Sequence, residues 1–280
     1  MKKLLNSQGL LLFLTLAAAL AGALLRRYQL ANELLSDGTL VPGSKIHIVL
    51  IVLLVLYAAA VIALLRPLRK KRSWQEVFPA SRPLNLAQIV CALTLFAGNL
   101  FVLLQGTVTG QSVASAFSVV LAKLLPWLAF LAAGCMAAFA GMRMSGQKPS
   151  ALLYMAVSVY LVVRLILNFQ TWNTDPSIHD YGFRLLAAIF CMLGTYQLAG
   201  FCLDQGRRRM TAFWTLCAVV CSAIGFTDAV FAGNAGEALV SAALGGFMFV
   251  NSVQVLFAAG RRSRPLTDVT PPSNTAETAD

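Results

Sequence analysis

Apolar runs of about twenty residues recur along this chain, with short polar segments between them. They fall at residues 9–25, 46–65, 86–104, 117–142, 151–169, 179–203, 212–231 and 238–259. A run of about 20 apolar residues is long enough, as a helix, to cross the roughly 30 Å hydrocarbon layer of a bilayer. Lipid offers no partners for backbone N–H and C=O groups, so each run predicts a helix that satisfies its own. The expected fold class is all-α: a polytopic transmembrane bundle of about eight spans. No polar segment between the runs is long enough to fold as a separate domain. Residues 1–264 are expected to form the bundle. Residues 265–280 are polar and proline-containing, and predict a disordered cytoplasmic tail.

The first run has a second reading. Its basic start (Lys2, Lys3) and the small residues Ala21, Gly22 and Ala23 also suit a cleaved signal peptide. Cleavage would leave seven spans with the same orientation. The second polar segment, 26–45, contains a stretch at 28–35 that suits a short interfacial helix. In the loop 66–83, Trp74, Val77 and Phe78 lie at i, i+3 and i+4, a spacing compatible with part of the loop lying on the membrane surface; the alternative is that its basic residues simply anchor the topology. Pro126 falls inside the fourth run and predicts a kink near Lys123. Asp175 and Pro176 read as an N-cap followed by proline in the first helical turn.

Composition agrees with the pattern. The chain is 58% hydrophobic and only 12% charged, against about 25% charged residues in soluble domains. Any chemistry therefore takes place in the membrane or at its surface. A net charge of +11 raises nucleic-acid binding, but the basic residues sit in short loops and not on a soluble face. The positive-inside rule accounts for them better. With the N-terminus inside, sixteen of the twenty-two lysines and arginines fall on inner segments and three (Arg26, Arg27, Lys45) on outer loops. Lys123, Arg164 and Arg184 remain within the spans. Both termini are expected in the cytoplasm, and the protein in the cell membrane. All six cysteines lie in apolar runs, so they read as small packing residues and not as disulfide partners.

Charge within a span is the feature with functional content. A basic or acidic group costs about 2.5–3.5 kcal/mol at a helix centre on insertion scales, and it persists where something pairs with it. The topology gathers such groups in the outer half of the membrane. Tyr160, Arg164 and Asn168 stack at i, i+4 and i+8 on one helix face, and Asp180 and Arg184 form an i, i+4 pair on the next helix. Asp228 and Glu237 flank the last two runs at the same level. Below Arg184, the residues Ala187, Ala188, Cys191, Gly194 and Thr195 make a small-residue face.

The expected site is an outer-half cationic cavity. Arg184, Arg164 and Lys123 supply its charge, Asp180 and Asp228 partly balance it, and Tyr160 and Asn168 complete it. Such a site suits a carboxylate, a phosphate or a lipid head group. The competing view is purely structural: Asp180 neutralises Arg184, Asp228 neutralises Arg164 or Lys123, and the remainder snorkels to the interface.

Three function classes follow. The first is an integral membrane protein that binds or transports an anionic small solute or lipid. The second is a non-catalytic accessory subunit of a membrane complex. The third is an intramembrane lipid-processing enzyme using His179 or Asp180. No nucleophile elbow, metalloprotease helix or phosphate-cradling glycine loop appears in the sequence, which favours a non-enzyme. No cofactor is expected. Asp175, His179 and Asp180 read as a capped turn, so no metal is expected either. The expected partners are membrane lipids, an anionic small molecule and a membrane protein, and not nucleic acid.

The charge count makes a direct prediction. In cells expressing the protein, a membrane-impermeant maleimide should label Thr107→Cys from outside. It should label Gln147→Cys only after permeabilisation. The opposite pattern would invert the topology.

Overall fold

A computed structural model describes residues 2–34, 40–41, 44–66, 68, 74–78, 81–104, 116–172 and 178–257. Among them the helices are α1 (Lys2–Asn32), α2 (Lys45–Leu65), α3 (Trp74–Val77), α4 (Arg82–Leu104), α5 (Ala116–Met144), α6 (Ala151–Trp172), α7 (Ile178–Cys202), α8 (Arg208–Phe231) and α9 (Ala235–Phe257). Eight of them are long and apolar enough to cross a membrane; α3 is a single turn. The described residues contain no strand, only an isolated bridge between Leu34 and Leu40. The chain is a multi-pass membrane protein whose spans coincide with the apolar runs to within a few residues, except at α1.

The arrangement is a ring with two attached helices. Each of α4, α5, α6, α7, α8 and α9 packs on the next, and α9 closes the ring against α4. Outside it, α1 lies along α8 and α2 lies against α1. The most enclosed spans are α8 and α9. Their sequences explain this, since small residues such as Ala218, Ser222 and Ala229 on α8, and Gly236, Ala243 and Gly245 on α9, let neighbours approach. By contrast α2 turns Ile48, Val52, Val55 and Leu56 outward to the lipid.

Two glycines fix the closure between α4 and α9. A Cβ on Gly98 would stand 2.9 Å from the Leu239 Cβ and 3.0 Å from the Val240 nitrogen. A Cβ on Gly236 would stand 2.9 Å from the Val102 nitrogen and 3.1 Å from the Gly98 oxygen. The obstacles include backbone, which cannot swing away. Backbone contact between these helices thus depends on the missing side chains.

Several expectations change. The first helix does not end at residue 25 but continues to Asn32, so Arg26 belongs to a span and is 1% exposed. Trp74, Val77 and Phe78 do not lie on the membrane surface. They turn inward and are buried, with the Trp74 ring against Phe139 and the Phe78 ring edge-on to Phe201. Arg208 and Arg209, counted as loop charges, cap helix ends: Arg208 donates to the carbonyls of Val255 and Leu256, and Arg209 to those of Leu68 and Arg66. The cysteines are free thiols, and Cys191, Cys202, Cys217 and Cys221 are buried. The Asp175-Pro176 cap and the tail lie outside the described residues.

The glycine crossing can be tested against an internal control. Gly98→Val should destabilise the protein by about 1–3 kcal/mol in detergent unfolding, the usual cost of overpacking. Gly134, on α5, has open space where a Cβ would go. Gly134→Val should therefore stay within about 0.5 kcal/mol of wild type.

Candidate functional site: a two-arginine pocket between α6, α7, α8 and α9

The site begins with a tight turn. α8 ends in a Schellman arrangement: Gly233 adopts φ +69°, its N–H donates to the Val230 carbonyl (3.1 Å), and the Asn234 N–H donates to the Ala229 carbonyl (3.0 Å). The Asn234 side-chain oxygen then accepts from the Glu237 N–H (3.1 Å) and caps α9. This geometry sets Glu237 in the first turn of α9, where the helix dipole favours a carboxylate.

Glu237 is the acid on which the arginines converge. Its Oε2 lies 2.5 Å from Arg164 Nη2 and 3.5 Å from Arg184 Nη2. Arg164 also donates through Nη1 to the Tyr160 hydroxyl at 2.9 Å, one turn earlier on α6. The Tyr160 hydroxyl in turn donates to Asn99 Oδ1 on α4 at 3.5 Å, and the Asn99 amide is tied to the Leu95 carbonyl. A chain of polar contacts thus runs from α4 through α6 to α9. It holds Arg164 in one orientation.

These residues border a small cleft whose free space is about 30 Å³, close to the room one water molecule takes. Arg164, Asn168, Arg184 and Glu237 supply its charged and amide groups, and Cys191, Ser222 and Ser241 its smaller polar ones. Ala187, Ala188 and Gly225 keep it open by being small. Side-chain exposure is graded across the charges: 9% for Arg164, 17% for Arg184 and 25% for Glu237. Arg164 is the buried anchor, and Arg184 and Glu237 are nearer the mouth.

The expected residues divide as follows. Arg164, Asn168 and Arg184 come together, and Tyr160 stands directly behind Arg164, fully buried. Asp228 does not pair with Arg164 or Lys123. Its Oδ1 lies 2.6 Å from Arg26 Nε, in a buried pair that fastens α1 to α8. The Arg26 guanidinium also sits 5.4 Å from the Phe183 ring centroid and donates to Gln29 Oε1. Lys123 is exposed on α5 and takes no part in the pocket. The side chains of His179 and Asp180 lie outside those described.

Glu237 was visible at the start of the last span but was not assigned to the site. Asn234 and Glu237 have the spacing of an N-cap and its third helical residue, and that local signal marks the position. Its partners lie 73 and 53 positions away, at Arg164 and Arg184, and nothing local encodes that meeting.

Chemically the pocket offers a dense set of donors around one carboxylate. Guanidinium groups match carboxylate and phosphate oxygens in fork geometry. Among the described residues no group of histidines, cysteines and acids is placed to hold a metal ion. Compared with protein-family models, curated proteins and solved structures, the chain matches none of them.

The buried pair sets an expectation for stability. Glu237→Ala should cost about 3–5 kcal/mol, because it strands the Arg164 charge in a low-dielectric site. The double variant Arg164→Met/Glu237→Ala should recover most of that loss. Additive losses in the double variant would show that the two side chains are not coupled.

Proposed function

We propose that this protein binds an anionic small solute or lipid head group in the Arg164–Arg184–Glu237 pocket, from the outer side of the cell membrane. The observation that supports this reading is the convergence of two guanidinium groups on one partly exposed carboxylate in an open pocket. Glu237 occupies the place that a ligand's carboxylate or phosphate would take. An incoming anion competes with it, gaining charge-assisted hydrogen bonds from Arg184 at the mouth and then from Arg164. Asn168 and the hydroxyls of Ser222 and Ser241 line the same space and add neutral contacts. The inside-positive charge pattern supports the orientation, with both termini in the cytoplasm. A polar pocket set among helices of a closed ring is also a transporter-like arrangement, in which the ring would open alternately to either side.

The accessory-subunit reading rests on the small-residue faces, the absence of soluble domains and the basic inner loops. Some of the small residues face neighbouring helices of the bundle. Gly194 packs on Met248 and Gly225 borders Arg184. The enzyme reading rests on His179 and Asp180, whose side chains lie outside those described.

Thermal unfolding of purified protein tests the proposal. Phosphate, sulfate and small mono- and dicarboxylates should be screened at constant ionic strength. At least one should raise the midpoint in wild type, and Arg184→Ala should weaken that response by about tenfold or more, the usual size for losing a charged hydrogen-bond partner. A response that survives Arg184→Ala unchanged, or a protein partner purifying in fixed ratio with no anion response, would count against it.

A further inference from the structure

A second arginine site lies at the other end of the ring. The charge pattern assigns Arg143 to a basic loop, yet it occupies the last turn of α5 and is only 3% exposed. Its guanidinium carbon sits 4.0 Å from the Phe78 ring centroid, 4.4 Å from Phe139 and 5.1 Å from Trp74. Phe139 stands one turn earlier on α5. Trp74 and Phe78 come from α3 and the residue after it. Trp74 of α3 and Phe78 thus cover Arg143 with aromatic faces.

Its hydrogen bonds are incomplete. Nη1 donates to Gln88 Oε1 at 3.1 Å and to Gln254 Oε1. Nε and Nη2 are buried and have no acceptor. Among the described residues, no carboxylate lies within ion-pairing distance of Arg143. The amides around it have spent their oxygens on each other: Asn251 Oδ1 accepts from Gln88 (3.0 Å), and Asn85 Oδ1 from Gln254 (3.5 Å). What is left over is mostly donor capacity, with two hydroxyls that can also accept. The Asn85 amide nitrogen and the Tyr154 hydroxyl are buried without partners, as is the Ser81 hydroxyl. Tyr154 is stacked edge-on against Phe139 at 4.1 Å, the same ring that covers Arg143.

A buried cation with unmet donors is costly unless acceptors complete it, and an anion answers both the charge and the donors. The arginine at the Arg164 pocket is completed by Glu237, and Arg26 by Asp228. Among the described residues the Arg143 cluster contains no such acid, and each of its free groups can donate a hydrogen bond. We propose that Arg143, with Asn85 and Tyr154, forms a second anion site that accepts a phosphate group from the side of the membrane opposite the Arg164 pocket. Phosphate fits the residue set because its several oxygens can take two guanidinium N–H groups, an amide and a phenol together. The group can come from free phosphate or from a phospholipid head group, which share this chemistry. The inference does not depend on the proposed function, because it uses other residues and other helices.

Trp74 supplies a built-in reporter. Inorganic phosphate titrated into purified full-length protein in detergent should change the tryptophan emission, and Trp74→Phe should abolish the change. Arg143→Gln keeps a side chain able to bridge Gln88 and Gln254 but removes the charge. It should weaken phosphate binding by roughly 10- to 100-fold, the range for losing hydrogen bonds to a charged group. Tyr154→Phe, a smaller change, should weaken it several-fold and guards against a folding defect in the first variant. Arg184→Ala should leave the response intact. Native mass spectrometry separates the sources: a retained phospholipid that Arg143→Gln loses assigns the site to a head group, and a phosphate adduct alone assigns it to the free anion. The proposal fails if neither phosphate nor phospholipid binds wild type, which would leave water as the partner of these donors. It fails equally if binding survives Arg143→Gln, and binding lost only in Arg184→Ala would move the ligand to the other pocket.

Discussion

The Arg164–Glu237 contact is the interaction on which the candidate site depends. It joins α6 to α9 across the ring, and the Tyr160 and Asn99 side chains extend it to α4. Without the carboxylate, Arg164 would be a buried charge with little but a phenol to answer it. With the carboxylate in place, Arg184 is drawn to the same oxygen from α7. The two tightly joined ends of α8 and α9 make this possible. The Gly233 turn and the Asn234 cap leave no slack in the position of Glu237.

A bundle of apolar helices can keep arginine in its interior only by supplying acceptors, and this one supplies them in three ways. Arg26 and Arg164 receive carboxylates from helices distant in sequence. Arg208 receives the last carbonyls of α9. Arg143 receives amide oxygens and aromatic faces, which leave part of its donor capacity unused. The first two solutions are closed accounts of charge and hydrogen bonding, and they fix the ring and the docking of α1. A pocket that opens beside a pair, as at Arg184, or a set of donors left without an acceptor, as at Arg143, is where a ligand has something to gain.

The spans were legible because run length and hydrophobicity are local properties, and lipid imposes helices on such runs. The Tyr160–Arg164–Asn168 face was legible for the same reason, since helix periodicity places those residues together. The choice of acid for each arginine was not. Asp228 lies 202 positions from Arg26, and pairings over such distances are set by the order of helices around the ring. Arg26 looked like a loop residue because the apolar run ends at 25, although the helix does not. Lys123 sits in apolar sequence just as Arg164 does; only the packing reveals that one faces outward and the other inward. The charge rule that assigned Arg143 to a loop counts residues near helix ends and is silent on whether a side chain turns back into the protein.

The central claim is that the Arg164–Arg184–Glu237 pocket takes an anion, and native mass spectrometry of protein gently extracted with its own lipids tests it most directly. The account predicts a bound small anion or anionic lipid on wild type that disappears in Arg184→Ala while folding is retained. A wild-type protein with no bound anion, or an adduct that Arg184→Ala and Arg164→Met both keep, would contradict it. In that case the arginines and Glu237 serve only to hold the helices together.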